Sequence, residues 1–255
     1  KDNKIKRKIY YLNKLLLQQK EKVSYVYKNL QTSDIFSFNK DVCFYSASAI
    51  KFLVCLYIYE QSENNSCLLE TKLKLLPDDF KDGSGVLKDM PDKNEYTVRE
   101  LVYYTLKESD NTAYIKLVNF VTAEVLKKYG LSLGAEHTLE GKDFFGIVNG
   151  SDMLIYLTHL YDYLNTNTEL SQELKSIMAN PTYQIIKPSS IGYNLFVRKY
   201  GSFDIACHEV GIVYDGNPYI LIILTQKNRL KNKEKYMNKV AKKITKIHKM
   251  ISYLK

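Results

Sequence analysis

The sequence predicts an α+β fold in which one antiparallel sheet is built from both ends of the chain around an inserted helical middle. Three observations carry this. Runs rich in β-formers fall near the start and in the last third, the middle to about residue 178 is helical in pattern, and both ends hold amphipathic helices able to cover a sheet. The 255 residues suffice for one large core or two interlocked ones. The expected division is an α/β subdomain of residues 1–45 and 190–255, discontinuous in sequence, and a helical subdomain of residues 46–189, with the working cleft between them.

Each element has its own signal. Ile5, Ile9, Leu12 and Leu16 stand at helical spacing and predict a helix to about Gln19. Residues 23–30 alternate, the run Gln31-Thr32-Ser33-Asp34 has turn chemistry, and Ile35, Phe36 and Phe38 resume a second strand. The chain then enters a helix near Ser46 to Ser48. Residues 50–59 are almost entirely apolar, as befits a helix buried on every side. Helical segments are expected at 98–106, 111–120 and 153–164, separated by turn-rich stretches such as Lys81-Asp82-Gly83-Ser84-Gly85. Residues 195–198, 205–213 and 219–225 read as strands, the last two joined by Asp215-Gly216, a strong hairpin signal. Met237, Val240, Ile244, Ile247, Ile251 and Leu254 then trace the apolar stripe of a long helix with a lysine-covered outer face, docked on the sheet.

Composition narrows the function. Hydrophobic residues make up 45% and charged residues 25%, ordinary for a globular protein. The net charge of +9 favours an anionic neighbourhood, such as an acidic cell-wall polymer or a headgroup surface. No basic block is interleaved with aromatics, so nucleic acid is not expected as a partner. No apolar run reaches transmembrane length, and residues 1–8 do not open a signal peptide. Cys43, Cys55, Cys67 and Cys207 lack metal-site spacing and are expected as buried or half-buried thiols, with a disulfide left open. His137, His159, His208 and His248 form no metal set, His208 being structural; neither metal nor cofactor is expected.

Three short motifs follow one another in order: Ser48-Ala49-Ile50-Lys51, Ser109-Asp110-Asn111 and Lys199-Tyr200-Gly201. The first is weak alone, since Ser-x-x-Lys recurs at Ser37–Lys40 and Ser252–Lys255. On a helix, residues three apart are neighbours, so Ser48 and Lys51 share a face. Burial lowers a lysine pKa toward the neutral amine that can take a serine proton. Ser109 or Asp110 also stands where a helix cap belongs.

The ordered set resembles the penicillin-recognising serine enzymes, and within them the class A β-lactamases. The likeness extends to Gly83-Ser84-Gly85-Val86-Leu87, to Thr97-Val98-Arg99-Glu100-Leu101 and to the closing hairpin from Glu209, covering about residues 20–230 and weakening between 130 and 149. It implies a β-lactamase/transpeptidase-like fold and a serine hydrolase working through an acyl-enzyme. In that reading Ser48 is the nucleophile, Lys51 its base and Ser109 a proton relay. Asn111 holds Lys51 and the substrate amide, Lys199 with Tyr200 and Gly201 meets the substrate carboxylate, and the backbone N–H groups of Ser48 and Ser202 form an oxyanion hole. The implied partner is a β-lactam or a peptidoglycan stem peptide, met by a monomer exported to the cell envelope, in the manner of an antibiotic-resistance enzyme.

Two departures shape the expectation. Tyr200 stands where the family carries a small hydroxyl residue, and Arg198 is the arginine at hand to assist a carboxylate. The omega-loop string Glu-x-x-Leu-Asn is missing; Glu136 and Glu140, the glutamates of that stretch, read as surface charges. Acylation should survive and deacylation should be slow. The alternatives are a D,D-peptidase or penicillin-binding protein, and a catalytically inactive domain that binds cell-wall peptide or a partner.

Overall fold

A computed structural model describes residues 2–252 apart from 19–21, 91, 142, 205 and 227–232. Five strands form one antiparallel sheet: β1 (Lys22–Asn29), β2 (Ile35–Phe38), β7 (Leu195–Phe203), β8 (Ala206–Tyr214) and β9 (Tyr219–Gln226), in the order β2-β1-β9-β8-β7. The sheet is closed between the termini, because β1 pairs along its length with β9, Lys22 opposite Gln226 and Asn29 opposite Tyr219. Ile205 and Leu254 lie outside the described residues.

Both faces of the sheet are covered, and period-two alternation sorts the side chains between them. On β9, Tyr219, Leu221 and Ile223 enter one core while Ile220, Ile222 and Leu224 enter the other. The back core is closed by α1 (Asp2–Leu17) through Ile5, Leu12 and Leu16, and by α8 (Lys233–Ser252) through Met237, Val240, Ile244, Ile247 and Ile251. The front core holds the helical middle: α2 (Phe52–Ser62), α3 (Val98–Lys107), α4 (Asn111–Val121), α5 (Ala123–Leu133), α6 (Gly150–Leu164) and α7 (Glu169–Ala179). α2 touches each of α3 to α7, which is why its sequence is apolar all round. α6 lies across β1, β8 and β9, and α7 packs on β7.

Local signals explain the boundaries. Thr97 and Glu100 form a reciprocal capping box at the start of α3. Asp110, Asn149 and Thr168 cap α4, α6 and α7 by accepting N–H bonds three residues on. Four short strands form two further pairs: β3 (Phe44–Tyr45) pairs with β6 (Ile147–Val148), and β4 (Lys72–Lys74) with β5 (Glu95–Thr97).

Several expectations are corrected. The strand expected to end at Arg198 runs on to Phe203, because its register with β8 continues from Arg198–Gly211 to Phe203–Ala206. Ser48 and Lys51 lie on a 3-10 turn, Ala47–Lys51, that precedes α2 rather than on the helix's first turn. The four cysteines are free thiols, and Cys67 is exposed rather than buried. Helices α5 and α7, not singled out from the sequence, bury few residues: Leu126 and Gly130 on the first, and Ser171, Leu174 and Met178 on the second. No helix among the described residues is long and apolar enough to cross a membrane.

Candidate active site

A cavity of about 360 Å³ opens between the front of β7 and the helical middle, lined among others by Ser48, Ser84, Asn111, Asp143 and Ser202. The 3-10 turn brings Ser48 to its wall. Residues three apart eclipse one another on such a turn, so Lys51 falls beneath Ser48. Ala47, just before Ser48, holds φ +46, a left-handed backbone that a residue with a Cβ adopts at a cost. Of the other Ser-x-x-Lys strings, Ser37 lies on β2 and Ser252 ends α8, with 253–255 outside the described residues.

Lys51 is fully buried and donates to the Ser109 carbonyl at 2.5 Å and to Asn111 Oδ1 at 2.7 Å. Burial pushes its pKa well below the usual lysine range, and the charge of Lys199 pushes the same way. A neutral amine has two N–H bonds to give, and these two acceptors take them. Its lone pair is then left for a proton donor such as the Ser48 hydroxyl.

Lys199 comes from β7, on the face opposite Arg198 and Tyr200. It is 1% exposed and donates to Ser109 Oγ at 2.8 Å and to the Tyr200 carbonyl at 3.0 Å. Burial brings its pKa down to about 7, against the opposing pull of Glu209 and Cys55. Ser109 therefore joins the two amines, its carbonyl on Lys51 and its hydroxyl on Lys199. It does so from a left-handed backbone, φ +54, that turns α3 into α4.

Asp110 is the cap of α4, and it does more than cap. Its Oδ1 accepts from Ala113 N while its Oδ2 accepts from Val86 N at 2.7 Å and Leu87 N at 2.9 Å. This ties the Gly83-Ser84-Gly85 loop to the motif. At Gly85, φ is +116 and a Cβ would stand 2.1 Å from Asp110 Oδ2, so only glycine fits. Asn111 completes the tie: its N–H reaches the Ser84 carbonyl and its Nδ2 donates to the Asp82 carbonyl, both at 2.9 Å.

Gly201 lets β7 approach the Ser48 turn. A Cβ there would lie 2.5 Å from Ala49 N and 2.9 Å from Ser48 N. Ser202, the next residue, is exposed and lines the cavity together with Ser48.

The two departures resolve differently. Tyr200 is not among the residues of the cavity wall, but its hydroxyl hydrogen-bonds with Ser84 and Ser109 at the edge of the site. It curls round the edge strand, packs against the back core and Tyr183, and lays its ring 4.6 Å from Lys199 Nζ. Arg198 does not reach the cavity either, correcting its expected role. It is buried on the back face, donating to the Ile186 carbonyl at 2.7 Å and to Gln184, and pairing with Glu209 at 3.5 Å. Glu136 is exposed and Glu140 pairs with His137 at 3.1 Å. From the same stretch Phe145 stands 5.6 Å from Lys51 Nζ, so a ring and not a carboxylate faces the amine there. His208 is structural: Thr225 N donates to its Nδ1, which leaves Nε2 to donate to the Tyr45 carbonyl, and burial lowers its pKa to about 4.

Sequence reasoning missed the aromatic rim. Tyr45 lies 6.3 Å from Phe145 and 5.7 Å from Phe203, all three on the cavity wall. Nothing in their spacing could have found them, since three separate elements supply them. Asp143 was missed too. It lines the cavity with Oδ1 held by Phe145 N and Gly146 N.

Comparison with known proteins comes out consistently. Residues 8–248 match the model of a family described as the Beta-lactamase enzyme family. The chain is 27% identical over 85 residues to Beta-lactamase VEB-1 of Pseudomonas aeruginosa, a stretch covering 32% of this chain and 28% of that enzyme's length. The structure of PBP-A superposes with a TM-score of 0.88 at 16% identity, over 96% of both chains; a PBP-A mutant is known as its acyl-enzyme complex with penicillin-G. The β-lactamase of Sphaerobacter thermophilus DSM 20745 superposes at 0.77 with 19% identity, over 98% of this chain and 97% of that one. At such identities these structures speak to the fold, the β-lactamase/transpeptidase arrangement of helices and antiparallel sheet.

Proposed function

The chain belongs to the beta-lactamase enzyme family, whose members are hydrolases of the serine acyl-enzyme kind, and we propose that this member is acylated by β-lactams at Ser48 and released from the adduct slowly. The observation that carries the proposal is the hydrogen-bonded set Lys51, Ser109, Asn111 and Lys199, buried behind a cavity whose wall holds Asn111 and Ser48.

In the acylation step Ser48 Oγ attacks the lactam carbonyl carbon while its proton passes to the neutral amine of Lys51. The carbonyl oxygen takes up negative charge and accepts from the backbone N–H groups of Ser48 and Ser202, which Gly201 allows to stand close together. The C–N bond of the ring then breaks, and the leaving nitrogen takes a proton through the Ser109 hydroxyl, which Lys199 holds at 2.8 Å. The aromatic rim of Tyr45, Phe145 and Phe203 suits an apolar acyl side chain.

Hydrolysis of the ester needs a base for water. Phe145 occupies the position beside Lys51, so a ring stands there in place of a base for water, which supports slow release. The second reading, a D,D-peptidase or penicillin-binding protein, draws support from the same feature, because a long-lived adduct is what such an enzyme shows with penicillin. Either substrate lies outside the cytoplasm, so export to the cell envelope belongs to the proposal.

An intact-mass time course with excess benzylpenicillin tests it. The expected result is a one-penicillin adduct that persists for hours and is absent from Ser48→Ala. Rapid disappearance of the adduct as penicillin is consumed would overturn slow release. No adduct at all would overturn acylation and leave the inactive binding domain.

A further inference from the structure

The charge of the molecule is concentrated far from the Ser48 cavity. α8 carries seven lysines against one glutamate, a net of +6 out of the chain's +9. α1, which packs beside it, carries four lysines and one arginine against one aspartate. The rest of the chain is therefore close to neutral.

On α8 the lysines are ordered. Lys235, Lys239, Lys242, Lys246 and Lys249 follow one another at steps of four and three, all exposed, so they form one row along the outer face. At about 1.5 Å per residue the row is about 21 Å long with a cation every 5 Å or so. Beside it runs a groove of about 630 Å³, walled by Lys239, Lys242, Lys243 and Lys246 on α8 and by Lys187 and Ser190 at the 3-10 turn Pro188–Ser190. Glu234 is the acidic residue of its wall. The groove shares no residue with the Ser48 cavity.

Two observations narrow the occupant. The apolar stripe of α8 is spent on the back core, and the groove wall has no apolar side chain to insert into a bilayer. The wall also has no aromatic ring on which a base could stack. What is left is a row of evenly spaced, flexible cations beside a concave track. That is a match for an extended chain bearing a phosphate in each repeat. We propose that the α8 groove binds a linear, soluble phosphodiester polymer such as poly(glycerol phosphate), lying along the lysine row. A polymer bound there holds the enzyme on an anionic matrix while the Ser48 cavity, on the other core, stays open.

The test uses the full chain and fluorescein-labelled poly(glycerol phosphate), read by polarisation. Wild type should bind saturably, with affinity falling steeply as salt rises. Replacing Lys239, Lys242, Lys243 and Lys246 together by glutamine, a good helix former, should weaken binding by about tenfold or more. A charge-matched control replaces Lys72, Lys74, Lys127 and Lys128 by glutamine and should stay within about threefold of wild type. Equal weakening in both variants would mean that diffuse charge suffices and would overturn the groove. So would the absence of saturable binding, or equal or tighter binding of a single-stranded oligonucleotide or of phosphatidylglycerol vesicles.

Discussion

The two faces of the central sheet treat buried charge in opposite ways. On the back face Arg198 meets Glu209, whose other oxygen takes the N–H groups of Ile185 and Ile186, and His248 sits between the Tyr27 hydroxyl and Asp215. There the Arg198 guanidinium has a counter-charge and both ring nitrogens of His248 have partners, with Arg198 Nε left unpaired. On the front face Lys51 and Lys199 give their hydrogen bonds to neutral oxygens, two carbonyls, an amide and a hydroxyl. The back arrangement fixes structure. The front one leaves two amines poorly solvated, which is what drags their pKa values down and favours the neutral form that can take a proton.

Substitutions on the two faces should therefore separate activity from stability. Lys51→Ala should slow acylation by benzylpenicillin about 10²–10⁴-fold with a smaller loss of stability than Glu209→Ala, since a poorly solvated amine is removed and no ion pair is broken; mass spectrometry and a thermal melt read the two. On the back face Glu209→Ala should cost about 3–5 kcal/mol of stability, because Arg198 is left buried without its partner. Denaturant unfolding checks this, and acylation by the folded fraction should fall far less than in Lys51→Ala, even though Lys199 loses the carboxylate that opposes the fall of its pKa. A drop in acylation as large as that of Lys51→Ala would break the comparison.

Gly201→Ala should slow acylation about 10²-fold by pushing the strand off the Ser48 and Ala49 N–H groups, with penicillin binding before acylation little altered. A pH series sharpens the contrast further. Lys199 loses its proton near about 7 in the fold but near about 10.4 when unfolded. Across that window the unfolded chain holds more protons, so the penalty of burying Lys199 shrinks as pH rises. The stability gained by Lys199→Met should thus be largest below pH 7 and smaller by about 2–3 kcal/mol at about pH 9. Tyr200→Thr should have the smallest effect, about a tenfold gain in acylation by carboxylate-bearing penicillin and none with its neutral ester. An equal gain with both would mean that the ring does not screen Lys199.

Much of this was legible in the residues. The sheet from both ends, the buried helix α2 and the docked helix α8 follow from periodicity, because each depends on side chains a few residues apart. The ordered motifs pointed to Ser48, Lys51, Ser109, Asn111 and Lys199 for another reason, their resemblance to the penicillin-recognising serine enzymes. Other features were not legible. Arg198 looked like a residue for the cleft until the strand's register sent it to the back. The expected strand end at Arg198 failed because β7 continues through pairing with β8, which no local pattern in Lys199-Tyr200-Gly201 announces.

What the sequence determined alone is thus most of the larger elements, since propensity and spacing act over one or two turns, and, through the resemblance its ordered motifs carry, a list of candidate reactive side chains. Only the tertiary structure decided which amine is stripped of water, which face Tyr200 takes and which ring stands by Lys51. Those outcomes are set by segments far apart in the chain, as when residues 51, 109 and 199 meet. Desolvation and steric exclusion exist only once such segments are packed together.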